Sequence, residues 1–202
     1  MMAKESTPSL VQAGSLEALR AAVLAPARQG SLPPVHLWNP PFCGDIDMRI
    51  ARDGTWFYAG TPIGRPALVK LFASILRLDD DGMMLVTPVE KVRLVVEDAP
   101  FLAVEMAVQE GEHPVLSFRT NVDDWVTVDA GHPLRFQQGA SGGLKPYVHI
   151  RDGLEALVKR AVFIELADRG ETRNVDGLAM FGVESSRVFF PMAEASSLEG
   201  LS

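Results

Sequence analysis

Cys43, in Cys43-Gly44-Asp45, is the side chain best suited by type to nucleophilic attack, with His149 as the available base. A reactive thiolate needs a stabilising electropositive surround, and nothing in the spacing supplies one, so the sulfur reads as a small packed residue. Asp79-Asp80-Asp81-Gly82 has the carboxylate density of a calcium loop. Met84, however, stands where such a loop needs glycine for its sharp turn, which leaves a solvated hairpin turn. His36, His113, His132 and His149 are far apart and show no metal-ligand spacing, so neither a metal nor a cofactor is expected. Residues 139–143 are glycine-rich but lead into a strand, whereas a phosphate-cradling loop follows a strand and opens a helix. Gly60-Thr61-Pro62-Ile63-Gly64-Arg65 does open a helix, where backbone N–H groups and Arg65 could face an anion, although a turn and helix start with Pro66 at the first helical position is the favoured reading. Arg49, Arg65, Lys91 and His149 are the charged candidates for a ligand site. Each lies near an element boundary that the fold could bring to one place.

Those candidates sit in a chain of 202 residues with 47% hydrophobic content and a formal net charge of -7. Such acidity argues against nonspecific binding to nucleic acid or to an anionic membrane, because both need clustered Lys and Arg. An anionic ligand would have to find a local basic pocket. The apolar runs, such as residues 71–76, are too short to cross a bilayer. A single cysteine rules out an internal disulfide and fits a reducing compartment, and the N-terminus lacks an export pattern, so a cytoplasmic location is expected.

The elements that must hold these groups are mostly strands. Residues 1–32 read as an N-terminal tail with a short amphipathic helix over residues 15–24, and residues 31–41 as an extended proline-rich segment around Trp38. Alternation begins at Ile46, Met48 and Ile50, and Asp53-Gly54 turns the chain into Thr55-Trp56-Phe57-Tyr58. A helix follows Pro66, with Leu68, Leu71, Phe72 and Ile75 as its stripe, then strands near residues 83–86 and 92–96. Beyond a break at Glu97-Asp98-Ala99-Pro100, strands are expected near residues 101–109, 115–122, 125–128, 134–136 and 147–150. Leu154, Leu157, Val158 and Ala161 predict a second helix with a Glu155 to Lys159 pair, followed by strands near 163–167, 178–183 and 188–190. The expected domains are 33–99 and 100–192, with a loose tail over 193–202.

A repeat supports that division. Ala67-Leu68-Val69-Lys70 recurs as Ala156-Leu157-Val158-Lys159, Ile75 matches Ile164, and Asp79 matches Asp168. With residues 171–175 treated as an insertion, Asp81-Gly82 meets Asp176-Gly177 and Val89-Glu90 meets Val183-Glu184. The expectation is two helix-then-strand units about ninety residues apart, a duplicated α+β fold, strand-rich, with antiparallel sheets and one main helix per half.

Several segments resemble a known group. Cys43-Gly44-Asp45-Ile46-Asp47-Met48-Arg49-Ile50, Gly60-Thr61-Pro62-Ile63-Gly64-Arg65-Pro66, Thr87-Pro88-Val89-Glu90-Lys91-Val92 and Pro146-Tyr147-Val148-His149-Ile150-Arg151 resemble signature segments of an uncharacterised bacterial family of domains of unknown function. The resemblance implies a duplicated α+β core, a C-terminal half superficially like a pleckstrin-homology fold, and a pocket between the halves for a nucleotide-like ligand in signalling. It implies no enzymatic activity, and a fold likeness transfers no phosphoinositide binding. Together these readings describe a cytoplasmic ligand-binding or sensor module, its anionic ligand held between the halves by Arg49, Arg65, Lys91 and His149. A protein-interaction adaptor is the alternative, and an enzyme comes third.

Overall fold

The computed structural model describes residues 32–139 and 143–198. The helix expected over residues 15–24 lies outside them. A single 3-10 turn, Val35–Leu37, leads into strand β1, Phe42–Ile50, where alternation buries Ile46, Met48 and Ile50 on one face. Asp53-Gly54 turns the chain into β2, Trp56–Tyr58, and β3, Thr61–Pro62, follows. Pro66 then opens helix α1, Pro66–Ser74, its fixed φ suiting the first helical position. A meander of β4 (Leu76–Asp79), β5 (Gly82–Val86) and β6 (Lys91–Val96) completes a sheet of order β3-β2-β1-β6-β5-β4.

The second sheet repeats that plan. Strands β7 (Phe101–Gln109), β8 (Val115–Thr120), β9 (Trp125–Thr127), β10 (Leu134–Gln138), β11 (Leu144–Arg151) and β12 (Leu154–Val158) are ordered β10-β11-β12-β7-β8-β9. In each sheet two three-stranded meanders are joined where the first strand runs parallel to the last, β1 beside β6 and β7 beside β12. Strand for strand, β1 to β6 corresponds to β7 to β12. The chain is therefore a duplicated, strand-rich α+β fold, and each expected antiparallel sheet carries one parallel pair.

The register of the duplication differs from the one the tetrapeptide predicts. Ala67 to Lys70 lies in α1, but Ala156, Leu157 and Val158 end β12, and helix α2 begins only at Arg160 and runs to Ala167. Residues 67–79 are thus helix then strand, and residues 156–168 are strand then helix. Both periods are present in the second segment: Leu154, Leu157, Val158 and Ala161 make a helical stripe, while Leu154, Ala156 and Val158 alternate. Alternation prevails because β11 and β7 offer backbone partners on both sides of β12. Glu155 accordingly pairs with Arg135 across the sheet and not with Lys159. The supposed insertion is a strand, β13 (Glu171–Val175), which forms a third sheet with β14 (Leu178–Ser185) and β15 (Val188–Glu194) before a short helix α3, Ala195–Leu198.

One continuous core joins the parts. Phe72, Ala73 and Ile75 of α1 and its C-terminal flank are fully buried, Trp56 stacks on Phe72 at 6.4 Å, and the same apolar cluster continues through Phe101, Phe118, Val148 and Leu154 to Leu166 of α2. At about 25 cal/mol per Å² of apolar surface removed from water, this shared burial is the main force holding the two sheet units together.

Candidate functional site

Helix α1 meets the second sheet unit at the β8–β9 and β11–β12 turns. Lys70 forms an ion pair with Asp123. Arg151, at the end of β11, donates Nη2 to the Ala73 carbonyl at 2.8 Å and Nη1 to Asp124 Oδ2 at 3.3 Å, with its guanidinium 5.2 Å from the Phe101 ring centre. Late carbonyls of a helix lack intrahelical donors, which makes the α1 terminus a natural seat for an arginine. Beside this junction lies an open depression of about 550 Å³, lined by Leu32, Asp124, Trp125, Thr127, His132 and Arg151 among others.

The charges around the depression are matched internally. Hydrogen bonds from Lys70 and then Arg119 hold the Asp123 carboxyl below the usual carboxylate range. Burial pushes the Asp129 carboxyl up, but backbone N–H donors of His132 and Gly131 outweigh it and lower the group overall. With Asp124 on Arg151, the depression carries no surplus of positive charge for an anionic ligand. Among the described residues no group of three or more His, Cys, Asp or Glu side chains is placed to hold a metal ion.

Strand β9 supplies the feature of chemical interest. The Thr120 N–H donates to the Asp124 carbonyl at 2.8 Å, and the Val128 N–H donates to the Leu116 carbonyl at 2.8 Å. In the same register Phe118 faces Val126, while Arg119 and Ser117 face Trp125 and Thr127. Hydrogen-bonded pairs alternate along an antiparallel ladder, so residues 124, 126 and 128 turn their backbone groups toward β8. The N–H and C=O groups of Trp125 and Thr127 consequently face an edge that no other strand of the described residues pairs with. The 3.2 Å contact between Ser117 Oγ and Thr127 Oγ1 is the close side-chain approach expected of a non-hydrogen-bonded pair. Val126 is buried, whereas Trp125 keeps 52% of its surface exposed beside the depression. Sequence reasoning read residues 125–128 as a strand without marking them as a site. The available signal was a tryptophan and a threonine flanking a valine in alternation, with acids on either side.

The four basic candidates occupy different surroundings. Arg49, on β1, forms an ion pair with Glu97 and lies 4.3 Å above the Phe57 ring centre. Lys91 begins β6 and donates to Asp79 Oδ2 at 2.8 Å. Arg49 is opposite Val95 and Lys91 is opposite Phe42, which puts the two near opposite ends of the β1–β6 pair, about 13 Å apart at 3.3 Å per residue. Arg65 precedes α1 and is exposed. His149 accepts the Gly153 N–H at Nε2, 3.1 Å, and directs Nδ1 at the Gly131 carbonyl, 3.1 Å, which fixes the tautomer with hydrogen on Nδ1. Its ring lies 5.9 Å from that of His132, so of the four it is the one adjoining the depression. Cys43 is half-buried, and its thiol donates to the Pro41 carbonyl at 3.6 Å.

Two successive acids between β6 and β7 tie the sheets further. Glu97 takes Arg49 and the Arg52 N–H on the first sheet's side, and Asp98 takes Lys145 and the Tyr147 hydroxyl from β11, each at 2.6 Å. Burial, and then the donated bond to Asp98, push the Tyr147 phenol up to about 12.

A family model described as the N-terminal domain of a domain of unknown function, DUF1285, matches residues 33–99, and the model of the DUF1285 C-terminal domain matches residues 100–192. The chain is similar to the crystal structure of a DUF1285 family protein from Silicibacter pomeroyi DSS-3, with 52% identity over 93% of this chain and 99% of that one and a TM-score of 0.82. A DUF1285 family protein from Shewanella baltica OS155 is 30% identical over 61% of this chain and 91% of that one, with a TM-score of 0.49. Comparison with curated proteins finds no match. With both of its domain models matched in order, the chain belongs to the DUF1285 family.

Proposed function

We propose that this protein is a recognition module that takes an extended segment of a partner polypeptide as an added strand on β9. The observation that supports this reading best is the edge itself, unpaired among the described residues, where the N–H and C=O groups of Trp125 and Thr127 face outward beside a depression of about 550 Å³. Strand addition draws its affinity from such main-chain bonds and its specificity from pockets beside alternate side chains. Trp125 is the anchor, because a large, rigid, half-exposed aromatic gives much contact area for little lost rotamer freedom. A three-residue edge offers few bonds, which suits a reversible signalling contact and limits uncontrolled edge-to-edge pairing. A nucleotide-like anion between the halves has weaker support, since Arg49, Lys91, Lys70 and Arg151 already serve carboxylates of the protein.

Selection of a displayed random peptide library on the full chain tests the proposal, with each enriched peptide remeasured on Trp125→Ala and Thr127→Pro. Proline is tolerated at an edge position whose N–H faces out, so Thr127→Pro removes one donor and spares the β8 ladder. Trp125→Ala should cost about 2 kcal/mol or more, roughly thirtyfold in affinity, and Thr127→Pro about 1 kcal/mol. Enriched peptides that bind both variants as tightly as the wild type, or a selection yielding none, would overturn the reading.

A further inference from the structure

A second cavity lies on the far side of the second sheet, away from β9. Leu144, Pro146 and Val158, on one face of β11 and β12, line a groove of about 490 Å³ with Phe163 and Ile164 of α2, within the size range of small-molecule sites. Helix α2 buries Val162 and Leu166 in the core, Phe163 packs at the core margin against Phe136, and Ile164 retains 52% exposure. Half-buried Leu144 and Phe163 and exposed Ile164 give the groove an apolar wall that water reaches from one side, the setting of a binding surface.

Arg160 opens α2 and lines the same groove. Further along the chain Arg169 and Arg173 are each paired with glutamates, but Arg160 has no carboxylate partner among the described residues. A cation left without a partner in a protein of net charge -7, at the mouth of an apolar trough, complements a ligand with one anionic head and a hydrocarbon body. The other cation there, Lys145, is held by Asp98 at 2.6 Å and contributes its stem.

We propose that this groove binds a single-chain amphiphile with a carboxylate head, of the fatty-acid class, its chain along Leu144, Phe163 and Ile164 and its head on Arg160. The proposal stands on observations separate from those at β9. Binding of decanoate to the full chain, measured by titration calorimetry below its micellar range, tests it beside decan-1-ol and butyrate as probes lacking the charge and the chain. Decanoate should bind saturably at one site and both controls at least tenfold more weakly. Arg160→Ala should weaken decanoate about tenfold or more, as expected for loss of a charge-assisted bond. Ile164→Glu should do the same by placing a carboxylate in the trough, and both positions are exposed enough to spare the fold. Trp125→Ala should leave decanoate binding unchanged. Absence of saturable decanoate binding, equal affinity for decan-1-ol, or unchanged affinity in both groove variants would overturn the assignment.

Discussion

Arg151→Ala is expected to loosen the junction on which the proposed recognition edge depends. The guanidinium makes a charge-assisted hydrogen bond to the Ala73 carbonyl at 2.8 Å, a contact with Asp124 at 3.3 Å and a stacking contact with Phe101 at 5.2 Å, and its side chain is 17% exposed. A hydrogen bond involving a charged group contributes about 1.5–3 kcal/mol. Asp124 is itself well exposed, so that pair adds only about 0–1 kcal/mol. The cation over the ring adds about 0.5–1 kcal/mol. These contributions share one side chain and do not simply add, so truncation should cost about 2–4 kcal/mol. For a chain of this size that is a fall in Tm of about 5–15 °C. Arg151→Lys should recover part of it, because a point charge can serve one partner but not the fork. Urea unfolding read by Trp fluorescence measures the change in midpoint at constant slope. A loss under about 0.5 kcal/mol would show that shared apolar burial alone carries the junction and that Arg151 is incidental to it.

Acid should destabilise the first sheet unit through Asp79, whose carboxyl the Arg77 hydrogen bond, with help from Lys91, lowers to about 2. A depressed folded value means stability present above pH 3.8 and lost as pH falls toward 2, about 2 kcal/mol in all, and Asp79→Asn should remove that pH dependence in acid unfolding curves. Tyr147 behaves in the opposite sense: its raised value, about 12, gives stability present below pH 10 and lost as pH rises toward 12, which phenolate absorbance and alkaline unfolding of Tyr147→Phe should show. Gly182→Ala should cost about 3 kcal/mol in urea unfolding, because an added Cβ would lie 2.3 Å from the Phe190 carbonyl oxygen at a bulge where backbone meets backbone.

Strand alternation and turn chemistry were legible where they are local. Ile46, Met48 and Ile50 announce β1, and Asp53-Gly54 announces the turn that follows. The sequence resemblance and the structure agree on the family and on a duplicated α+β fold. The register of the repeat was hidden because Ala-Leu-Val-Lys is compatible with both periods, and its state was decided by strands more distant in sequence. Leu157 pairs with Leu102 of β7, and nothing near Leu157 in the chain records that pairing. The polar partnerships are equally nonlocal. Arg49 finds Glu97, Lys70 finds Asp123 and Arg151 finds the Ala73 carbonyl, each across dozens of residues, so the partners of these basic side chains cannot be read from their neighbours in the chain. Strand order hid β9 as well: an edge strand is defined by what fails to pair with it, and no window of sequence contains that fact.

Backbone amide exchange at Trp125 and Thr127, with and without a selected peptide, tests the central claim most directly. In the free protein these two amides should exchange rapidly while Val126 and Val128, bonded to β8, exchange slowly. On saturation with peptide, Trp125 and Thr127 should become as protected as their neighbours, as required if a partner strand has joined the edge. A peptide that binds while both amides stay unprotected would contradict strand addition on β9.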